Sequence, residues 1–438
     1  MLKRKIYEKL ITWKQTKPKF ALVIKGARQV GKTYIIREFG KKNYKKFIEI
    51  NFEEEPILKD VFAGNLDARS ILLKLSAMGI DDFIENDTLF FFDEIQSCPN
   101  ARTALKFLVE DGKYDFIASG SLLGINYKKV SSYPVGYEEI LEMFPLDFEE
   151  YLWAKNISTD VIDILHKSYY KLISVDDFIH KTILKHFYEY MIVGGMPKVV
   201  STFLSSNDFN DTVRIQNILL DGYRNDISTY ADKDRVLVRA TFDAIPEQLN
   251  KKNKRFIFAH MEEKGTFEKY NTPTRWLVEA GIAYNCFNLN SLDIPLSFSE
   301  KRNLYKIYMH DTGLLTALSA RGLQGNILNG DISINEGMFA ENIVASSLVK
   351  NGIPLYYFDK KSRNELDFII SERNGITILE VKSGKSYKTH ASLDKAELFS
   401  SGKINRKIVL SKSNVEISKE GVIYIPIYMV MFIKNEKL

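Results

Sequence analysis

Cysteine and histidine are scarce in this chain, and their scarcity argues against two kinds of site. Cys98 and Cys286 are the two cysteines among 438 residues, and they form neither a metal-binding spacing nor a disulfide framework. The six histidines do not cluster, and His260 and His310 each lack a second histidine at ligand spacing. We therefore expect no zinc site and no disulfide-stapled fold.

Long apolar stretches are missing as well. No uninterrupted apolar run approaches the roughly 20 residues of a membrane-spanning helix. The basic segment Met1–Glu8 leads into no apolar signal core. The chain also lacks internal repeats, heptads and low-complexity tracts. Together with the few cysteines, these features favour a globular protein of the reducing cytoplasm.

An excess of one charge sign is the third feature that is nearly absent. The 61 basic side chains outnumber the 56 acidic ones by a formal charge of +5. That excess is compatible with a nucleic-acid partner but is no argument for one, because only local patches of basic side chains would indicate such binding. A length of 438 residues suggests two to four domains.

A phosphate-binding loop is the most informative motif that is present. Residues 26–33 read GARQVGKT, a complete GxxxxGKT motif between the apolar run Ala21–Ile24 and the helical segment Tyr34–Phe39. A strand entering the loop and a helix leaving it would point backbone N–H groups at a phosphate. We therefore expect ATP and Mg²⁺ to be bound by Gly26, Ala27, Arg28, Gln29, Val30, Gly31, Lys32 and Thr33.

Residue types within the loop predict separate roles. Gly26 and Gly31 would permit the tight backbone path. Lys32 would reach the β- and γ-phosphates, and the Thr33 hydroxyl would bind Mg²⁺.

Apolar runs alternate with helical stretches from residue 21 to about 150, which predicts a parallel α/β sheet. The predicted strands are Phe20–Lys25, Lys46–Phe52, Thr88–Asp93, Asp115–Ser119 and Tyr137–Pro145.

The third of these strands ends in two carboxylates. Four apolar residues precede Asp93 and Glu94, so the charges should fall at the carboxyl end of a buried strand, where open α/β sheets bind ligands. Asp93 would hold Mg²⁺, and Glu94 would orient or deprotonate the attacking water. Ser119, at the end of the next strand, would sense the γ-phosphate or help to place that water. The alternative for this segment is helix N-capping by Ser121.

Hydrolysis also benefits from a cation that stabilises charge on the transferred phosphoryl group. Arg224, Arg235 and Arg239 are candidates, and each has a surface or salt-bridge role as its alternative. Arg28 would instead brace the loop backbone.

The remainder of the chain predicts further domains. We divide it into an ATPase core at 1–150, a helical lid at 151–235, a winged-helix-like region at 236–325 and an α/β domain at 330–438. A plain helical lid with one hairpin is the equal alternative for the third region.

Carboxylates recur in the C-terminal region, within two apolar strands joined by a turn. Asp367 lies in the first strand, and Glu380 shares a face of the second strand with Lys382. Glu341, in the preceding helix, would add a third carboxylate. Such a D…ExK set would hold a second Mg²⁺ or Mn²⁺ and activate water on a phosphodiester, with Lys382 stabilising the hydroxide. The alternatives are a structural Glu–Lys pair and a degenerate site that does not cleave.

At this point the sequence resembles a large prokaryotic family. Its members pair an AAA-type ATPase domain with a C-terminal domain of unknown function related to the PD-(D/E)XK nuclease fold. The matching segments are the phosphate loop, Leu89–Gln96, Ser119–Leu123, Phe144–Leu152, Gly194–Pro197, Tyr223–Ile227, Lys306–Leu315, Gly337–Asn342, Glu365–Asp367 and Glu380–Lys382. One departure is Tyr137 after Gly136, where many members carry arginine.

The resemblance implies architecture and ATP use but no pathway. Our expectation is an ATP-driven switch whose C-terminal domain engages a partner such as DNA. A metal-dependent nuclease regulated by ATP and a non-catalytic switch that recruits a protein are the alternatives. The oligomeric state stays open.

Overall fold

The computed structural model describes most of the chain and groups it into two compact units. The described residues are 2–16, 19–121, 134–251, 254–258, 265–319, 327–328, 336–360, 364–373, 375–384, 386–400 and 403–435. The first unit comprises Lys3–Phe144 with Glu279–Gly281. The second consists chiefly of Pro145–Val278 and Ile282–Leu438. His260 and Leu122–Leu123 lie outside the described residues.

The first unit is built on a five-stranded parallel sheet. Its strands are β1 (Ala21–Lys25), β2 (Lys46–Asn51), β3 (Thr88–Asp93), β4 (Asp115–Gly120) and β5 (Glu138–Glu142), in the order β2-β3-β4-β1-β5. Its helices are α1 (Ile6–Gln15), α2 (Lys32–Asn43), α3 (Ala68–Ala77) and α4 (Pro99–Asp111). The predicted P-loop α/β core is confirmed, with each strand within a few residues of its expected bounds.

Burial explains why this sheet forms. Every residue of β3 and β4 is buried, as a parallel sheet covered on both faces requires. Phe90 stacks on Phe116 with ring centroids 5.2 Å apart, and Phe52, Phe62 and Phe92 form edge-to-face pairs beside them. The apolar strand bodies thus fix the sheet and leave polar residues at its carboxyl edge.

The second unit begins with helices, as the sequence predicts. They are α5 (Phe148–Ala154), α6 (Thr159–Lys171), α7 (Asp177–Val193), α8 (Pro197–Ser206), α9 (Phe209–Tyr230), α10 (Arg235–Leu249), α11 (Phe267–Glu279) and α12 (Thr312–Ser319). Asp147 and Glu150 form a capping box at the start of α5. Gly195, in the predicted break between α7 and α8, cannot carry a side chain, because a Cβ there would lie 2.0 Å from the Leu146 carbonyl oxygen.

Two sheets and two further helices complete this unit. The first sheet has the order β7-β6-β8-β9, from β6 (Ala283–Leu289), β7 (Glu300–Met309), β8 (Tyr356–Asp359) and β9 (Glu365–Leu366). The second has the order β10-β11-β12-β14-β13, from β10 (Phe368–Glu372), β11 (Gly375–Lys382), β12 (Ile404–Ser411), β13 (Glu416–Ile417) and β14 (Ile423–Pro426). The helices are α13 (Glu336–Lys350) and α14 (Ala391–Asp394).

The first of these sheets crosses the predicted domain boundary near residue 330. Strand β6 pairs antiparallel with β7 and parallel with β8, so the hairpin of the middle region continues into strands of the C-terminal region. The winged-helix interpretation and the four-domain division stay predictions. Within the described part of the chain, no helix combines the length and apolar character needed to cross a bilayer.

Candidate functional site

The phosphate loop lies between β1 and α2 and has the backbone that its glycines predict. Gly31 has φ 96° and Gly26 has φ 155°. A Cβ on Gly26 would lie 2.2 Å from the Met143 carbonyl oxygen, so glycine is required there for space as well. The loop therefore keeps its shape only with these two residues.

Lys32 points into this loop instead of out to solvent. Its Nζ donates hydrogen bonds of 2.9 Å to the carbonyl oxygens of Gly26 and Ala27. Burial lowers the pKa of Lys32 to about 8, although the carboxylates of Glu94 and Asp93 act in the opposite direction. The ammonium group is thus held at the loop by backbone dipoles, where a phosphate would compensate its charge.

Asp93 collects hydrogen bonds from three neighbouring elements. Thr33 Oγ1 donates to its Oδ2 over 3.0 Å, Ser119 Oγ donates to its Oδ1, and Asn51 Nδ2 lies 3.4 Å from Oδ2. Burial raises the pKa of Asp93, and the Ser119 hydrogen bond partly offsets that rise. The structure therefore brings together the two predicted Mg²⁺ ligands, Thr33 and Asp93, and the predicted sensor Ser119.

Glu94 leaves the strand in an unusual backbone conformation. It has φ 52° and ψ 47°, the left-handed region that few residues other than glycine adopt. Its backbone N–H donates to Asp93 Oδ1 over 3.1 Å, and Gln96 Nε2 donates to its Oε2 over 2.5 Å. The half-buried carboxylate is therefore placed next to Asp93 by a sharp turn, and such outliers cluster at functional sites.

Two contributors to this site are missing from the sequence-based set. Arg4 donates from Nη1 to the Val30 carbonyl over 3.1 Å and from Nη2 to the Phe144 carbonyl over 2.6 Å, so it braces the loop. Asn51 was within reach of prediction, because it ends a parallel strand at the same sheet edge as Asp93. Arg4 was not, because nothing in a basic N-terminal segment indicates a buried arginine.

The arginine predicted to brace the loop lies in the first unit, and the three predicted to assist hydrolysis lie in the second. In the first, Arg28 Nε lies 3.4 Å from Ser121 Oγ, which fits a bracing role. In the second, Arg224 forms ion pairs with Asp221 at 3.0 Å and Asp243 at 2.9 Å, and Arg239 lies 3.8 Å from Asp243. A catalytic arginine therefore stays a prediction.

The C-terminal carboxylates lie on the elements that the sequence predicts. Asp367 stands between β9 and β10, and its Oδ2 accepts a 2.8 Å hydrogen bond from the Val381 backbone N–H. Lys382 Nζ lies 2.8 Å from Glu380 Oε1 on the same strand. Burial and the nearby Glu380 raise the pKa of Asp367 well above its ordinary value, and burial raises that of Glu380.

Lysines absent from the sequence-based set contact this cluster. Lys306 of β7 is fully buried, with its Nζ 2.7 Å from Glu365 Oε1 and 3.9 Å from Glu341 Oε2. Lys254 forms an ion pair with Glu341 Oε1. Among the residues that the structure describes, no group of three or more histidine, cysteine or acidic side chains is arranged to hold a metal ion. The predicted second metal site is therefore unsupported.

Comparison with protein families assigns the first unit to a class. Residues 18–152 match the family model of an AAA domain, which supports an AAA-type ATPase in this part of the chain. Residues 184–325 match a domain of unknown function (DUF8612), and residues 336–430 match another (DUF4143). These two matches give no support to the nuclease relationship.

Individual relatives are distant. Uncharacterized protein MJ1544 of Methanocaldococcus jannaschii is 27% identical over 364 residues, covering 80% of this chain and 72% of that protein. The Walker-type ATPase paby2304 of Pyrococcus abyssi has a TM-score of 0.47 at 15% identity, covering 73% of this chain and 96% of its own. The Aeropyrum pernix ORC1 protein in complex with DNA has a TM-score of 0.28 at 12% identity, covering 75% and 91%. Similarity this low carries no functional argument.

Replacing Lys32 by alanine should weaken ATP binding about 10- to 100-fold, because charge-assisted hydrogen bonds to phosphate are lost. Isothermal titration calorimetry would measure the loss. Lys25→Ala is the matched control, since Lys25 ends β1 and forms only a partly exposed ion pair with Glu142 at 3.1 Å. Equal affinities for wild type and Lys32→Ala would refute the phosphate-loop assignment.

Replacing Asp93 by asparagine should reduce the gain in ATP affinity that Mg²⁺ provides, because an amide oxygen is a weaker Mg²⁺ ligand than a carboxylate. The comparison is ATP affinity with Mg²⁺ against affinity in EDTA. Asp87→Asn serves as control, since Asp87 lies before the amino end of the same strand, 3.2 Å from Lys45. If Mg²⁺ does not change the ATP affinity of the wild type, Asp93 does not have the role assigned to it.

Proposed function

We propose that this protein binds and hydrolyses ATP as an AAA-type switch, and that its C-terminal domain engages DNA. One observation carries the ATPase part of the proposal. The Thr33 hydroxyl of the loop and the Ser119 hydroxyl at the end of β4 both donate hydrogen bonds to the Asp93 carboxylate at the end of β3. Such a grouping at the carboxyl edge of a parallel sheet, beside a phosphate loop, is what phosphoryl transfer requires.

Each residue in this grouping has a chemical task. Backbone N–H groups of the loop and Lys32 would hold the phosphates of ATP. Thr33 and Asp93 would hold Mg²⁺, which when bound neutralises charge on the phosphate oxygens. Glu94 would orient the attacking water or accept its proton, and Ser119 would keep Asp93 in position.

The switch part of the proposal is supported by contacts at Leu146, which follows the last residue of β5 by four positions. The Leu146 backbone N–H donates to the Gly195 carbonyl over 2.7 Å. Its carbonyl accepts from Tyr190 Oη over 2.7 Å and from Lys350 Nζ over 3.1 Å. Leu146 is thereby bound, within the second unit, to α7, to the break that follows it and to α13.

DNA is the proposed partner because of the C-terminal sequence pattern alone. Asp367, Glu380 and Lys382 have the D…ExK spacing found in many nucleases, and the family resemblance attaches a nuclease-related fold to it. We take from this resemblance DNA binding, with or without cleavage.

Replacing Glu94 by glutamine should leave ATP binding intact and slow turnover by on the order of 10²-fold or more, the size of a general-base contribution. Glu142→Gln is the control, because Glu142 is a half-exposed carboxylate at the end of β5 that pairs with Lys25. Phosphate release and calorimetry on both variants separate hydrolysis from binding. If the turnover of Glu94→Gln is unchanged, a residue other than Glu94 orients the attacking water.

Double-stranded DNA should raise the ATPase rate of the wild type several-fold, and Lys32→Ala should show no such response. Heparin controls for a general polyanion effect, and the response should weaken as salt rises because phosphate contacts release counterions. Gels of the same DNA distinguish the alternatives: cleavage in Mn²⁺ would favour the nuclease. No response to DNA, with capture of a protein only in ATP, would favour the recruiting switch.

A further inference from the structure

The C-terminal carboxylate cluster receives its cations from outside the segment that carries the D…ExK pattern. Lys306 lies on β7, in the other sheet of this unit, and its side chain is 0% exposed. Its ammonium is 2.7 Å from Glu365 Oε1 and 4.9 Å from the centre of the Tyr357 ring. Lys254 precedes that strand by about fifty residues and pairs with Glu341.

The oxygens of Glu341 are already in use. Its Oε1 is bound by Lys254, and its Oε2 accepts a 3.1 Å hydrogen bond from Tyr308 Oη, with Lys306 Nζ at 3.9 Å. Glu341 is only 4% exposed, so these contacts lie away from solvent screening. A metal ion that bound Glu341 would have to displace at least one of these partners.

The other carboxylates are satisfied in a similar way. Glu365 has Lys306, Glu380 has Lys382, and Asp367 has the Val381 backbone N–H. Among the described residues, Glu380 Oε2 and Lys306 Nζ are buried without a hydrogen bond of good geometry, although the Lys306 ammonium lies 2.7 Å from Glu365 Oε1 as an ion pair.

We propose that Lys306 and Lys254 take the place of a divalent cation at Glu341 and Glu365, so that these four side chains form an internal ion-pair network that ties β7 to α13 and β9. A buried carboxylate without a counter-ion is strongly destabilising, and two ammonium groups from distant segments meet that requirement. Asp367, Glu380 and Lys382 of the D…ExK pattern then pair locally, beside and within the β10–β11 hairpin. The C-terminal domain would act on its partner by binding, without metal-dependent cleavage.

The test uses the full-length protein without nucleotide, so its result does not depend on ATP hydrolysis. Thermal unfolding is recorded in EDTA and in Mn²⁺, with Asp93→Asn in every variant to remove metal binding at the phosphate loop. In that background the cluster should give no Mn²⁺-dependent shift in Tm. A Mn²⁺-dependent rise that Asp367→Asn or Glu380→Gln abolishes would overturn the proposal.

The second arm removes the proposed internal cation. Lys306→Met should lower Tm by on the order of 5–10 °C, because it removes the counter-ion of Glu365 and one of the two cations beside the buried Glu341. Arg302→Met removes a positive charge from the same strand, where the side chain is 83% exposed and pairs with Glu300 at 3.3 Å, so it should change Tm little. Equal effects of the two substitutions would contradict the network.

A milder pair of variants covers the case in which Lys306→Met fails to fold. Lys254 is 19% exposed and can be changed with less damage. In a double-mutant cycle, Lys254→Met and Glu341→Gln should together cost clearly less than the sum of their separate effects, because each removes the other's partner. Strict additivity would show that the two side chains do not stabilise one another.

Discussion

The hydrogen bonds that converge on Asp93 depend on strand register, and the rest of the ATP site depends on them. Strand β4 lies between β1 and β3, and Ala118 is opposite Val23 on one side and Phe92 on the other. Ser119 is therefore opposite Ile24, just before the loop, and next to Asp93. A slip of one residue would turn every one of these side chains to the opposite face, so the buried aromatic strands also position the polar groups.

Burial acts on the two charges of this site in opposite directions. It lowers the pKa of Lys32 and raises that of Asp93, so each group is moved toward its neutral form. The hydrogen bonds that Lys32 donates to loop carbonyls, and those that Asp93 accepts from Thr33 and Ser119, counter the loss of water. A phosphate would stabilise the charged form of Lys32, and Mg²⁺ would stabilise that of Asp93. Ligand binding would therefore offset part of the free energy that burying these two charges costs.

Local patterns predicted the fold and the residues that meet at the phosphate loop, whereas contacts between distant segments were not predictable. The strands, the loop and the carboxylates of β3 follow from runs of apolar residues and their boundaries. Lys306 shows the limit: a lysine within an apolar strand signals a buried partner, but the sequence does not identify Glu365 and Glu341 as that partner. When Lys306 and Lys254 are overlooked, the carboxylates alone predict a metal site. The described residues do not support that prediction.

The same limit applies to the contacts within the second unit that the proposed switch would use. A ligand shifts a conformational equilibrium only through contacts that differ between two states. At the break between α7 and α8, Asp311 Oδ2 accepts a 2.6 Å hydrogen bond from the Gly195 backbone N–H, and nearby in sequence to Asp311 the Met309 backbone is bonded by Asn342 of α13. Gly194 and Gly195 have no room for a Cβ, because Asp311 and Leu146 fill that space. A junction this crowded has few alternative packings, so a displacement of Leu146 would move α7 and α13 together and would not be absorbed locally.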